Sequence, residues 1–160
     1  MASWYDKGDM SVRQMVDIPP VWLAGFLALV WAQMQFLPVL LAPTPLTSII
    51  GSVLVCLGVV LMVWAVVAFR NHNTSVVPHQ VPQRIITTGP FALSRNPIYL
   101  GDVFVLTGAV FWWGTWPALI LIPAFVILLS GRFIAPEEAR MKENFGHEFE
   151  IFAQNTRRWL

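Results

Sequence analysis

LTSIIGSVLVCLGVVLMVWAVVAF, residues 46–69, is an apolar run that contains no charged residue and no proline. A helix that crosses a bilayer needs about 20 consecutive apolar residues, and this run is long enough. The whole chain is 56% hydrophobic and only 12% charged, whereas soluble domains carry about 25% charged residues. The run and the composition together predict a single all-α integral membrane domain over residues 1–160.

Three further apolar segments, near residues 19–41, 98–113 and 117–134, bring the predicted number of transmembrane helices to about four. The last two segments are separated by the turn sequence GTWP at residues 114–117. Their apolar runs are rather short, so a re-entrant hairpin is an alternative to two complete spans. Tryptophans cluster at this turn, as they do in the aromatic belt of a membrane interface.

Positive charges are distributed unevenly between the loops. The loops at 42–45 and 114–116 contain no Lys or Arg, whereas the N-terminal segment, the 71–97 loop and the C-terminal tail all do. By the positive-inside rule, we expect both termini and the 71–97 loop in the cytoplasm. The expected location is therefore multi-pass in the cell inner membrane, with the polar residues gathered on one side.

Composition also argues against several classes of function. The net charge is +1 and no basic run is present, so nucleic acid is not an expected partner. Cys56 is the only cysteine, which leaves no disulfide within the chain and no cysteine-based zinc site. The three histidines lack metal-binding spacing, and no metal is expected. No cleavable signal peptide is expected either, because charged residues interrupt the first 17 positions.

The densest polar sequence is TTGPFALSRNPIYLGD, residues 87–102. Each residue has a simple structural interpretation: Asn96 can cap the helix that follows, Arg95 can obey the positive-inside rule, and Tyr99 can be an interfacial anchor. Their combination favours a site, because Tyr99 and Asp102 share a helix face. An acid inside the membrane region is also costly and usually functional, and an arginine fork suits a carboxylate or phosphate.

A second polar group, Pro136-Glu137-Glu138 with Arg140, follows the last apolar segment. Two acids after a proline suit the first turn of a helix, where the macrodipole favours negative charge. Because they lie on the same predicted side of the membrane as Arg95, they could instead hold an ammonium or face a sulfonium.

Four apolar residues of the tail, Met141, Phe145, Phe149 and Phe152, recur at helical spacing and predict one apolar stripe. The stripe is typical of a helix that lies on lipid. It could equally cover a bound cofactor, and the pattern does not separate the two interpretations.

These sequences resemble the isoprenylcysteine carboxyl methyltransferase family, whose superfamily includes the membrane phospholipid N-methyltransferases. The resemblance covers roughly residues 70–160 and uses a set of short motifs: Gly89-Pro90-Phe91, SRNPIYLG at 94–101, Glu137-Glu138, Phe145-Gly146 and Arg157-Arg158-Trp159. His79 matches an upstream histidine of the family's pattern. Asn96 stands where the family more commonly has histidine, and Phe91 stands where tyrosine is common. The short chain is similar to the prokaryotic members.

The resemblance implies an enzyme that transfers a methyl group from S-adenosyl-L-methionine to a lipid-like or prenylated acceptor. The reaction would be carboxylate O-methylation or amine N-methylation, with the acceptor and membrane lipid as partners. It implies a cytoplasmic cofactor region formed by residues 71–101 and 135–160, in which Arg95 and Glu138 are catalytic. The implied cofactor-binding residues are His79, Val81, Gly89, Arg95, Asn96, Tyr99, Glu137 and Glu138.

Two other function classes stay open. Membrane reductases of the sterol reductase type, which use NADPH, are similar in the Arg-Asn-Pro region but generally have many more helices. A non-catalytic membrane protein with a degenerate site would contain the same binding residues. The short chain favours the methyltransferase over the reductase, and the intact set of Arg95, Tyr99, Glu137 and Glu138 disfavours a degenerate site.

Gly101 and Gly108 are seven positions apart and so lie on the same side of the predicted third helix. One interpretation is that they leave a lateral gap through which a lipid-like acceptor enters from the membrane. The other is that they let two helices pack closely, as small residues commonly do in membranes.

Overall fold

The computed structural model describes residues 17–36, 43–72 and 83–160, and within these ranges the protein is helical without a β-strand. The all-α prediction is therefore confirmed for the described residues. The elements, in chain order, are α1 (Pro19–Phe36), α2 (Pro45–Asn71), the short α3 (Pro90–Leu93), α4 (Pro97–Trp113), a 3₁₀ helix (Trp116–Ile120), α5 (Leu121–Leu129), a π-helical turn (Ser130–Ile134), α6 (Ala135–Phe145) and α7 (His147–Asn155).

Local sequence explains where the two central helices begin and end. Thr44 caps α2 in a reciprocal capping box, because its Oγ1 accepts from the Thr47 N–H at 3.2 Å and its own N–H donates to Thr47 Oγ1 at 2.9 Å. Helix α4 begins at Pro97, whose missing N–H is not needed in a first turn. It ends at Gly114, which adopts the left-handed conformation with φ of 65°.

Helices α2 and α4 pack with their backbones in contact. A Cβ atom added to Gly108 would lie 2.6 Å from the carbonyl oxygen of Gly51, and one added to Gly101 would lie 2.7 Å from that of Gly58. Only glycine fits at these positions, which is how small residues commonly join membrane helices. The prediction of a lateral gap beside Gly101 and Gly108 is wrong, because α2 fills the space next to both.

The opposite side of α4 packs against α1 and α5, so α4 is the central helix. Leu106 and Val110 of α4, Val30 of α1, and Phe125 and Leu129 of α5 are all completely buried in one cluster, here called the first core cluster. Tyr99 of α4 also belongs to it. The position of α4 is therefore determined by apolar packing on two sides.

Two described helical stretches, Pro45–Asn71 and Trp116–Phe145, are long and apolar enough to cross a membrane. Only 22% and 28% of their most apolar portions are buried inside the protein. A core helix of a soluble protein would be mostly buried, so this apolar exposure favours lipid as the surrounding medium. Helix α4 is apolar but shorter, and residues 37–41 of the expected first span lie outside the described residues. The arrangement of four spans therefore stays a prediction.

The tail differs from the prediction in two ways. The last apolar helix does not stop near residue 134 but continues through the π-helical turn and α6 to Phe145. The predicted continuous tail stripe is also wrong, because Gly146, with φ of 49°, separates α6 from α7.

The apolar residues of the tail nevertheless pack onto one second core cluster. Phe149 and Phe152 are buried in it, with Met141 and Phe145 against its edge. The other buried members come from the end of α2 and from the segment before α4: Ala65, Ala68, Ile85, Ile86 and Phe91. These tail side chains contact protein, which contradicts the interpretation of the stripe as a helix lying on lipid.

Gly108→Ala should destabilise the protein, because the added Cβ would meet the Gly51 carbonyl and the Val55 backbone nitrogen, 2.6 and 2.9 Å away. Gly25→Ala in α1 is the matched control, since nothing lies within 4 Å of its added Cβ. Both changes gain the same helix propensity, so the difference isolates overpacking, which typically costs about 1–3 kcal/mol. Thermal unfolding in detergent should show a lower Tm for Gly108→Ala than for Gly25→Ala. Equal values would contradict the α2–α4 contact.

Candidate functional site

The segment that leads into α4 is anchored on the end of α2. Gly89 has φ of 62°, a conformation that favours glycine, and directly precedes Pro90 at the start of α3. Phe91 packs edge-on against Phe69 of α2, with ring centroids 5.0 Å apart and an interplanar angle of 78°. This packing sets the position of Ser94 and of the residues after it.

Hydrogen bonds join the residues just before α4 to the C-terminal segment. The Arg95 N–H donates to the carbonyl of Arg157 at 2.9 Å. The Ser94 hydroxyl and the Asn96 side-chain amide both donate to the carbonyl of Arg158, at 3.1 and 3.0 Å. Asn96 occupies the N-cap position of α4 but makes no capping hydrogen bond with its side chain. Asn96 is thus the N-cap residue by position, as predicted, but its side chain links distant parts of the chain instead of capping the helix.

The carboxylate of Glu138, in the first turn of α6, is shared by two arginines. Arg95 Nη2 lies 3.2 Å from Glu138 Oε1. Arg158 donates through Nε to Oε1 at 3.2 Å and through Nη2 to Oε2. We call these three residues the Glu138 cluster. The hydrogen bonds to Glu138 raise the pKa of Arg158 above its usual value, so its guanidinium is charged at any physiological pH.

The neighbouring acid, Glu137, has a different partner. The Tyr99 hydroxyl of α4 donates to Glu137 Oε1 at 2.8 Å. The buried Tyr99 ring stacks on that of Phe133, with centroids 6.2 Å apart and an interplanar angle of 30°. Both acids therefore bind side chains, so the macrodipole alone does not account for them.

The structure brings together Arg95, Asn96, Tyr99, Glu137 and Glu138, all of which were predicted as site residues. They come from the start of α4 and the start of α6, which are far apart in the chain. Because of this distance, their proximity follows from tertiary packing.

The remaining predicted site residues are not part of this group. Gly89 lies beside Trp64, whose Nε1 would be 3.6 Å from a Cβ at that position. His79 and Val81 lie outside the described residues. Among the residues that are described, no three His, Cys, Asp or Glu side chains gather as metal ligands would.

Arg158 and Ser94 belong to the site, although the sequence patterns did not predict them as site residues. Arg158 contributes its guanidinium to the Glu138 cluster and its carbonyl to Ser94 and Asn96. The Arg157-Arg158-Trp159 motif was the available signal. Trp159 packs against the first core cluster, which fixes the C-terminal segment next to the site.

The charges of this region suit a ligand that is itself charged. Arg95 Nε is buried and has no hydrogen-bond partner in the described residues. Buried donors are almost always paired, so this atom could serve a bound acceptor such as a carboxylate. Two carboxylates belong to the same region, Glu138 in contact with Arg95 and Glu137 in contact with Tyr99, and could serve a cationic group. The guanidinium and the two carboxylates together therefore fit a ligand that carries both a negative and a positive group.

Comparison with known proteins places this chain in a family. A family model described as phospholipid methyltransferase matches residues 46–148, which is more than half of the 160-residue chain. The chain belongs to the phospholipid methyltransferase family. An uncharacterized protein of Haemophilus influenzae is 30% identical over 63 residues, which are 39% of this chain and 100% of that protein. No solved structure matches the chain.

Membership in the phospholipid methyltransferase family confirms the superfamily that the motifs indicated. It is a family of methyltransferases, and the exposed apolar helices agree with association with a membrane. The matched region extends from the first residues of α2 into α7 and contains Arg95, Tyr99, Glu137 and Glu138. Arg158 lies beyond it, so its part in the Glu138 cluster rests on the structure.

Glu138→Gln should lower the stability of this methyltransferase family member by about 3 kcal/mol, the lower end of the usual cost of removing one partner of a buried ion pair. The side chains of Glu138 and Arg95 are each only 15% exposed, and removing one partner of a largely buried pair is costly. Glu150→Gln is the matched control, because Glu150 is 47% exposed and pairs with Lys142 at 3.2 Å on the surface. Exposed pairs contribute about 0–1 kcal/mol. Thermal unfolding in detergent compares the two, and similar Tm values for both variants would contradict a stabilising role for the Glu138 cluster.

Proposed function

We propose that the protein is an integral membrane methyltransferase that uses S-adenosyl-L-methionine and acts on a lipid-like acceptor at the cytoplasmic face. The observation that supports this most is the convergence of Arg95, Tyr99, Glu137 and Glu138 at one end of the apolar helices. Family membership supplies the reaction class. The charged side chains of Arg95, Glu137 and Glu138 can bind a polar cofactor next to the membrane.

The residues of the site can be assigned roles toward this cofactor. When bound, S-adenosyl-L-methionine supplies an electrophilic methyl group on a sulfonium, and it carries an ammonium and a carboxylate. Arg95, with its unpaired Nε, suits the carboxylate. Glu137 and Glu138 suit the ammonium, and Asn96 suits a polar edge of the adenine.

Three further residues, His79, Val81 and Gly89, complete the cofactor region that the family resemblance implies. Arg95 and Glu138 are the residues to which we assign catalysis, through holding and orienting the reactants.

Methyl transfer to a good nucleophile needs little covalent help from a protein. It is an in-line displacement, for which positioning and exclusion of water provide most of the rate enhancement. The described structure is suited to this, since the Tyr99 side chain is buried in the first core cluster and its hydrogen bond to Glu137 is part-buried. The acceptor is either a carboxylate or an amine carried by an apolar molecule, which would reach the site from the lipid.

The proposed location is multi-pass in the cell inner membrane, with about four spans and both termini cytoplasmic. Single cysteines at the exposed positions Pro43 and Arg84, in a Cys56→Ala background, test this. A membrane-impermeant maleimide applied to intact cells should label the cysteine at position 43 and spare the one at 84. Labelling of both from the same side would contradict α2 as a complete span.

Cofactor binding is tested by thermal unfolding of the detergent-purified protein with S-adenosylhomocysteine beside NADPH. A ligand of the native state at 100 times its Kd stabilises by about 2.7 kcal/mol. We expect a rise in Tm with S-adenosylhomocysteine and none with NADPH.

Site variants locate the binding. Arg95→Ala and Glu138→Gln should abolish the shift, and the exposed control Glu150→Gln should keep it. A shift only with NADPH would support a reductase instead. Normal shifts and normal turnover in both site variants would show that these residues are structural.

A further inference from the structure

The Glu138 cluster carries more positive than negative charge, because the guanidiniums of Arg95 and Arg158 share one carboxylate. Glu137 precedes Glu138 on α6 and adds one negative charge, and Arg140, three positions after Glu137 on the same helix face, adds one positive charge. Three arginines and two glutamates leave a surplus of one positive charge. Because charge without a counter-charge is costly where water is partly excluded, this region favours an anionic group.

The arginines of the cluster have donors that Glu138 does not use. Arg95 contacts Glu138 through Nη2, and its Nε is buried without a hydrogen-bond partner in the described residues. Arg158 contacts Glu138 through Nε and Nη2, and its Nη1 takes part in neither bond. A buried donor without a partner costs free energy, and the guanidinium fork matches a carboxylate well. A second carboxylate, supplied by a ligand, would therefore suit both arginines.

Arg158 is the member of the cluster that is most accessible from solvent. Its side chain is 42% exposed, whereas those of Arg95 and Glu138 are each 15% exposed. A polar ligand that arrives from solvent therefore meets the Arg158 guanidinium before the less exposed Arg95.

The main chain of Arg158 is fixed at the site without a ligand. Its carbonyl accepts hydrogen bonds from the Ser94 hydroxyl and the Asn96 amide, at 3.1 and 3.0 Å. Trp159, the next residue, packs against the first core cluster. Only the Arg158 side chain has to adjust to a ligand, and Glu138 already orients it. Such preorganisation lowers the entropy that binding costs.

We propose that Arg158, together with Arg95, binds the carboxylate in the methionine part of S-adenosylmethionine, and that Glu138 positions the two guanidiniums for it. This inference rests on the proposed methyltransferase function and deepens it, because it adds a cofactor-binding residue that lies outside the matched family region of residues 46–148. The methionine ammonium is attached to the carbon next to this carboxylate, so it would come toward the acids of α6.

The experiment measures the Kd of two ligands for the full-length protein in detergent, by isothermal titration calorimetry. The ligands are S-adenosylhomocysteine and S-adenosyl-3-thiopropylamine, which is the same molecule without the carboxylate. Wild type and Arg158→Gln are compared with the control Lys142→Gln. The control also removes one positive charge from the tail, but Lys142 is 65% exposed and pairs with Glu150 on the surface. The Tm of each protein without ligand is measured in parallel.

We expect wild type and Lys142→Gln to bind S-adenosylhomocysteine about 100-fold more tightly than the amine, since each of two guanidiniums contributes about 10-fold through hydrogen bonds between charged groups. Arg158→Gln should weaken S-adenosylhomocysteine binding by about 10-fold and should not weaken binding of the amine. A merely structural residue would weaken both ligands alike. If Arg158→Gln does not fold, Arg158→Lys replaces it, because lysine keeps the charge next to Glu138 but lacks the fork.

Three results would overturn the inference. An unchanged Kd for S-adenosylhomocysteine in the Arg158 variant would show that Arg158 does not contact the ligand. Tighter binding would show that Arg158 competes with the cofactor ammonium for Glu138. Equal losses for both ligands would assign Arg158 to the fold. Failure of the proposed function looks different, because wild type would then bind neither ligand, and this result would overturn the inference as well.

Discussion

The sharing of the Glu138 carboxylate between Arg95 and Arg158 is the interaction on which the site depends. It joins the start of α4, the start of α6 and the C-terminal segment, which are otherwise separate parts of the chain. The hydrogen bonds from Ser94 and Asn96 to the Arg158 carbonyl hold the same region together. A carboxylate with two guanidiniums leaves excess positive charge next to Tyr99 and Glu137. The polar end of this methyltransferase family member is thus one connected network.

The apolar helices place this network at a defined position relative to lipid. Helices α2 and α4 are in backbone contact, and α1 and α5 pack against the other side of α4. The π-helical turn at Ser130–Ile134 then connects α5 to the acids of α6. A π turn contains more residues than an α turn, so it rotates α6 around the helix axis relative to α5. Glu137 and Glu138 can thereby contact the region at the start of α4.

Sequence patterns predicted which side chains belong to the site, but they did not predict the contacts that bring these side chains together. Arg95, Tyr99, Glu137 and Glu138 were predictable because they belong to short motifs that resemble those of a known family. Arg158 was missed, since its carbonyl contacts to Ser94 and Asn96 leave no trace in side-chain periodicity. The pair Gly101 and Gly108 allowed either a gap or close packing, because a glycine pattern on one helix does not show whether another helix faces it.

Residue spacing alone likewise did not determine the backbone of the tail or the number of membrane crossings. Residue spacing predicted one tail stripe, but the positive φ of Gly146 breaks it, and spacing carries no backbone torsions. The described residues contain two long apolar stretches, whereas the number of complete spans also depends on residues outside the described ranges.

The proposed cofactor site is tested most directly by ultraviolet cross-linking of methyl-labelled S-adenosylmethionine to the purified protein, followed by peptide mapping. If these segments bind the cofactor, label appears on peptides from residues 94–102 or 135–145, and excess S-adenosylhomocysteine prevents it. Label confined to residues 45–71, or label that excess ligand does not prevent, would contradict the proposed site.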